Sequence, residues 1–257
     1  MPLERVRVGA RVLGSHIDAL GWTPCLERIA LWAKRGESRA IVQCNVHSVV
    51  TARREPAFAA AIRSADLAAP DGWPIAWCLR RLGFADQERI GGPDLMWRCC
   101  ALAAHAGLPV FLYGGGDETL ARLRARLQQA FPGLRIAGCY APPFRALSPE
   151  EDARAVAAIE HSGARIVFVA LGCPKQEAWI AAHRGRIHAV MLGVGAAFDF
   201  HAGLTPRAPR WMRDHGLEWL HRLLAEPRRL GRRYVVTNTL FVAYLAGEWL
   251  HGGRGRQ

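Results

Sequence analysis

The 257 residues, 51% hydrophobic and 22% charged, suffice for a sizeable α/β core and exclude a disordered chain. A net charge of +12, carried almost wholly by arginine with only Lys34 and Lys175 as lysines, calls for an acidic partner: nucleic acid, anionic lipid or a phosphorylated substrate. The seven cysteines are scattered, with no CxxC pair and no Cys/His ligand spacing, which argues against a disulfide framework or zinc site and for a reducing cytosol.

The first residues, MPLERVRVGARVLG, have no apolar h-region and so predict no secretory signal. Helical periodicity begins near Thr23–Lys34, and the branched run Ala40–Gln43 reads as a buried strand. After it come Asn45, His47 and Ser48; the asparagine either binds a ligand or caps the next helix, and His47 reads as structural. Helices follow at Ser48–Ala52 and Pro56–Ser64, then a strand at Leu67–Ala69. Asp71 comes next, before Gly72. An Asp-Gly pair alone is a turn. Pro70 and Pro74 stiffen this one, and apolar surroundings would raise the carboxylate toward the basicity of a general base.

A helix at Pro74–Leu82 leads to QERIGG, where the Arg89 guanidinium either grips a diphosphate or pairs at the surface with Glu88 or Asp86. Beyond a helix at Gly92–Ala106, strand Val110–Tyr113 runs into Gly114, Gly115 and Gly116, which permit close approach to a nucleotide phosphate. The loop is neither GxGxxG with its acidic partner nor a P-loop, which disfavours a dehydrogenase or an ATP site. Helix Glu118–Phe131, strand Leu134–Cys139 and helix Pro149–Ser162 precede the strand Ile166–Leu171. That strand opens into LGCPKQE and a helix at Gln176–Arg184. A helix start with Lys175 beside it favours an anion, and Gln176 can hydrogen-bond a sugar or base. The alternative is an ordinary βα turn with Pro174 near the first helical position and Glu177 complementing the dipole. Strand Ala189–Val194 ends in a glycine-rich segment carrying Asp199 and His201; with no DxD motif, no metal is expected.

From Leu204 onward there are ten arginines and four acids, interleaved with Trp211, Trp219, Tyr234, Tyr244 and Trp249. This predicts two or three amphipathic helices and a frayed tail, GGRGRQ. Val235–Leu250 is interrupted by Thr237, Asn238, Thr239, Gly247 and Glu248, short of the roughly 18 apolar residues of a spanning helix. The pattern predicts a Rossmann-like α/β fold, a largely parallel sheet with helices on both faces. Residues 1–203 would form the α/β domain, and 204–257 a C-terminal Arg/aromatic-rich helical appendage.

The ordered motifs resemble the WecG/TagA/CpsF family, glycosyltransferase family 26. They are the Asn45 segment, P-D-G at 70–72, E-R-I-G-G at 88–92, D-L-M at 94–96 and the glycine loop at 114–116. F-P at 131–132, L-G-C-P-K-Q-E at 171–177 and G-V-G-A-A-F-D-F at 193–200 continue the series. It ends with R-A-P at 207–209, G-L-E-W at 216–219, R-L at 222–223, E-P-R-R-L at 226–230 and R-R-Y at 232–234. The resemblance implies an inverting, metal-independent transferase with no cofactor. It would move N-acetylmannosamine, its uronic acid or glucose from a UDP-sugar to the 4-hydroxyl of a sugar on undecaprenyl diphosphate. The polymer would be a cell-surface polysaccharide or exopolysaccharide, with a lean toward the exopolysaccharide members. The family's base matches Asp71, and its site Asn, Arg and Gln match Asn45, Arg89 and Gln176. Where the family often has Thr, this chain has Gln43, leaving the donor sugar open.

On this reading Gln43, Asn45, Arg89, Gly114, Gly115, Lys175, Gln176 and Asp199 contact substrate. Arg207, Arg222, Arg229 and Arg232 meet lipid or diphosphate, docking the enzyme peripherally on the inner face of the cytoplasmic membrane. Association of copies through the α/β body is left open. The rival class is a non-enzymatic basic nucleotide- or nucleic-acid-binding protein, although no nucleic-acid motif is present and no nucleic-acid partner is expected.

Overall fold

The computed structural model describes residues 7–252. The first six residues of the amino-terminal stretch, the tail from 253, and the side chains of Arg229, Trp249 and His251 lie outside the described residues.

Six strands form one parallel sheet: β3 (Arg39–Cys44), β4 (Leu67–Pro70), β5 (Val110–Gly114), β6 (Ile136–Tyr140), β7 (Ile166–Ala170) and β8 (Val190–Gly193). Their order across it is β4-β3-β8-β7-β5-β6, every pair parallel. All six match sequence-predicted runs to within two residues at either end. Side chains alternate between two apolar layers, as a doubly covered sheet requires. Ala40, Val42 and Cys44 of β3 join Val49, Ile62 and Ile180 on one face. Ile41 joins Ile29, Leu95, Leu123 and Phe198 on the other.

The first face is covered by α2 (Val46–Arg54), α3 (Pro56–Ser64), α7 (Pro149–His161) and α8 (Lys175–His183). The second is covered by α1 (Trp22–Arg35), α5 (Gly92–Ala106), α6 (Asp117–Ala130) and α9 (Ala197–Ala202). The short helix α4 (Trp73–Arg81) follows β4. The predicted Rossmann-like α/β architecture is what the chain adopts. Helix α7 has the clearest local origin: the Ser148 side chain accepts from the Glu151 N–H while the Glu151 carboxylate accepts from the Ser148 N–H.

Two elements were not predicted. A hairpin of β1 (Gly9–Val12) and β2 (Ser15–Asp18) turns at Leu13 and Gly14, whose φ values are 49° and 82°. Its four-residue strands are short, and Leu-Gly lacks the Asn-Gly or Asp-Gly signal of such turns. Buried Asp18 ties the hairpin to the edge strand by accepting from the Ala68 N–H at 2.6 Å and pairing with Arg7. Helix α9 makes helical the segment around Asp199, which the sequence presents as a glycine-rich strand end.

After α9 come α10 (Arg210–Asp214), α11 (Glu218–Ala225) and the 26-residue α12 (Pro227–Gly252). Helix α12 seats Phe241 in the same apolar cluster as α2 and α3, while Arg53 of α2 pairs with Glu248 at 2.6 Å and lies over the Tyr244 ring. Thr237, an interruption in the apolar run, donates its hydroxyl to the Arg233 carbonyl at 2.7 Å and so fits inside the helix. Among the described residues no helix is long and apolar enough to cross a membrane.

Candidate functional site

Parallel strands bring their carboxyl ends to one edge, where side chains leave the sheet unpaired by the ladder. Here the ends of β3, β4, β7 and β8 deliver Asn45, Asp71, Gly172 and Gly195 to that edge. Asn45 takes the capping role and adds a contact to Asp71. Its Oδ1 accepts from the Ser48 N–H at 3.1 Å, capping α2, and its Nδ2 donates to Asp71 Oδ2 at 3.3 Å.

Burial pushes the Asp71 carboxyl up from its ordinary value. Arg89 pulls it down, Glu218 pushes it up, and Asn45 and Arg222 pull it down less strongly, leaving a net rise. Gly91 faces it so closely that an added Cβ would stand 3.2 Å from Asp71 Oδ1. A partly sheltered carboxylate with raised basicity at a ligand-accepting edge is suited to taking a proton.

Arg89 pairs with neither Glu88 nor Asp86. It donates to Glu218 of α11 at 2.6 Å and to Asp94 of α5 at 3.1 Å. Asp94 also receives both terminal nitrogens of Arg207, at 2.8 and 2.6 Å, and lies 3.5 Å from Arg213. Asp94 and Glu218 thus draw arginines from the loop between α4 and α5, from the segment before α10 and from α10 itself into one cluster beside Asp71. Arg222 of α11 completes it, lying over the Phe200 ring at 5.6 Å. With Asp199 and Glu226 it lines a cavity of about 270 Å³.

On the other face of the sheet the loop after β7 passes through a cis Cys173–Pro174 peptide into α8. Lys175 is exposed at the first turn, whereas Gln176 and Glu177 are buried. Gln176 Nε2 donates to Glu177 Oε1 at 2.9 Å, and its Oε1 has no partner among the described residues. Gln43, on β3, is 5% exposed, and neither amide atom has a partner among the described residues.

The glycine loop divides its roles. A Cβ at Gly114 would stand 2.4 Å from the Ala170 carbonyl oxygen, so this glycine lets β5 and β7 approach. Gly115, at φ 69°, makes the turn, and Gly116 precedes α6. His201 bonds the Pro93 carbonyl at 2.8 Å and stacks on Trp97. Among the described residues no cluster of three or more His, Cys, Asp or Glu is placed to hold a metal ion. Arg232 is exposed on α12, whereas its neighbour Arg233 is partly buried and acts electrostatically on His47 and Cys173.

Sequence reasoning therefore named the edge residues, Ser48 among them, and gave Glu177 only a helix-dipole role; it assigned nothing to Asp94, Cys173, Arg213, Glu218 and Arg233, which surround them. Asp94, Glu177 and Glu218 stood inside the quoted motifs D-L-M, K-Q-E and G-L-E-W, beside residues assigned roles. Compared with protein-family models, residues 10–255 match the one described as Glycosyl transferase WecG/TagA/CpsF family.

Proposed function

The chain belongs to the WecG/TagA/CpsF family of glycosyl transferases, and from that membership we propose a single inverting displacement on a UDP-sugar. The acceptor is the 4-hydroxyl of a sugar on undecaprenyl diphosphate, and the product feeds a cell-surface polysaccharide or exopolysaccharide. Asp71 takes the hydroxyl proton as the acceptor oxygen bonds to the sugar's anomeric carbon, and the bond from that carbon to the β-phosphate oxygen breaks to release UDP. The observation carrying this reading is Asp71 itself, raised in basicity by burial, oriented by Asn45 and flanked by Arg89 and Arg222.

Charge on the departing diphosphate is then met by guanidinium groups and the α8 amino terminus, with no metal or cofactor required. Arg89, Arg207 and Arg222 stand nearest that role, with Lys175 at the helix start; Arg229 and Arg232 remain lipid or diphosphate contacts. Gln43, Gln176 and Asp199 supply hydrogen-bonding groups for the donor. Gly115 gives the backbone room for it, and Gly114 serves through strand packing.

Residues 204–257 act as the membrane-docking unit, placing the enzyme peripherally on the inner face of the cytoplasmic membrane. Exposed Trp211, Trp219, Leu224, Val235 and Val242, interleaved with exposed Arg210, Arg228 and Arg232, support that role.

The Asp71→Asn variant tests the chemistry. UDP affinity by titration calorimetry should stay within about threefold, while turnover with a lipid-linked acceptor falls by about a hundredfold or more. Near-normal turnover would rule out Asp71 as the base.

A further inference from the structure

A chain of side chains runs along the carboxyl edge from the base to α8. Asp71 Oδ2 accepts from Asn45 Nδ2, and Asn45 Oδ1 accepts from the Ser48 hydroxyl at 3.3 Å. That hydroxyl lies 4.0 Å from the Cys173 sulfur, and Cys173 and Glu177 act on one another electrostatically. Glu177, 1% exposed, then accepts from Gln176 Nε2 at 2.9 Å. The last link decides an orientation. A carboxylate can only accept, so the Gln176 amide must turn its NH₂ toward Glu177 and its oxygen away.

That oxygen is buried, on a side chain only 4% exposed, and has no partner among the described residues. Room for the amide comes from two glycines. A Cβ at Gly193 would stand 3.2 Å from Gln176 Nε2, and one at Gly195 3.6 Å from Oε1. Leaving such an acceptor unmet is costly, so a ligand that brings a hydrogen to it gains affinity and selectivity.

We propose that Glu177 is a positioning residue that fixes the Gln176 amide, and that Gln176 Oε1 is a specificity acceptor for an N–H or O–H of the sugar nucleotide. This rests on the carboxyl edge being the donor site. Two sources fit the chemistry: the uracil imide N–H, or a hydroxyl or acetamido N–H of the sugar.

A reversal of the hydrogen bond provides the test. In Gln176→Glu two carboxylates face each other, and binding of UDP-glucose and UDP-N-acetylmannosamine should weaken at least tenfold by calorimetry. Adding Glu177→Gln lets residue 177 donate and residue 176 accept, again presenting an oxygen to the ligand. The double variant should recover to within about threefold of wild type, while Glu177→Gln alone loses several-fold because its own NH₂ can claim the Gln176 oxygen. Losses that simply add, with no rescue, overturn the proposal.

UDP alone separates the sources: a loss of equal size places the contact on uracil, and a loss confined to UDP-sugars places it on the sugar. Both variants keep side-chain volume, and circular dichroism checks their fold. The Gln176 side-chain amide resonances, displaced when Glu177 becomes Leu, report the locked orientation without any ligand; unchanged resonances overturn it. If wild type binds neither UDP-sugar, the donor-site reading fails while the resonances still decide the positioning role.

Discussion

Asp94→Asn should loosen the segment that carries Arg207 and Arg213 from the α/β body. The carboxylate is 26% exposed and receives Arg207 through two bonds at 2.8 and 2.6 Å, with Arg89 at 3.1 Å. An asparagine keeps one acceptor but turns an NH₂ toward arginines, so the paired geometry is lost. Charge-assisted bonds contribute roughly 1.5–3 kcal/mol each when sheltered, and partial exposure reduces the total to about 2 kcal/mol. That is about a 30-fold increase in local opening. Amide hydrogen exchange over α10 and α11 should accelerate by that factor at low salt. In 1 M salt, where screening acts over about 3 Å, variant and wild type should converge. Burial opposes ionisation of Asp94, but Arg207, then Arg89 and Arg213, outweigh it and hold its carboxyl below the ordinary 3.8. Its contribution is therefore complete above pH 3.8 and lost as pH falls through the lower folded value, whereas the variant shows no such loss. Exchange on α10 and α11 unchanged within threefold at low salt would refute Asp94 as the tie.

Asp71 predicts the opposite pH dependence. Its raised folded value means it stabilises most below the ordinary 3.8 and progressively less as pH rises through the folded value, so Asp71→Asn should resist urea better than wild type at pH 7.5 but not at pH 3. Equal unfolding midpoints at pH 7.5 would contradict the burial cost assigned to this carboxylate. Gly114→Ala combines a φ of 116° with a Cβ 2.4 Å from the Ala170 oxygen. It should cost about 3 kcal/mol, lowering the melting temperature by roughly 6–12 °C, and a drop under 2 °C would show that β5 and β7 can part.

The sheet was legible because each strand is a short, mostly apolar run close to a glycine, proline or polar residue, and periodicity reports that directly. The site was legible where one residue sits at one strand end, as Asp71 and Asn45 do. It was not legible where a side chain's setting depends on a partner distant along the chain. Arg89 and Glu218 are 129 residues apart, and Arg207 and Asp94 are 113 apart. Local sequence near Arg89 offered Glu88 and Asp86 as partners, and only the packing of α11 beside the α4–α5 loop replaced them. The β1–β2 hairpin escaped for a local reason, since Leu13 adopts a positive φ that sequence patterns reserve for Gly or Asn.

Those distant pairings also bear on how strong a base Asp71 can be. Burial alone would raise its carboxyl and leave it without nearby cations, whereas an arginine turned fully toward it would lower it and waste the shelter. Arg89 stands close enough to pull the carboxyl down, yet its shortest bond, at 2.6 Å, goes to Glu218, and Glu218 pushes Asp71 back up. Glu218 thus weakens the arginine's grip twice, by taking its hydrogen bond and by adding a like charge. Because Glu218 belongs to α11, the basicity of Asp71 depends on how that helix sits against the strand ends. A buried carboxyl on the α/β body is in this way tuned by a carboxylate from the carboxyl-terminal helices, and neither segment alone would set it.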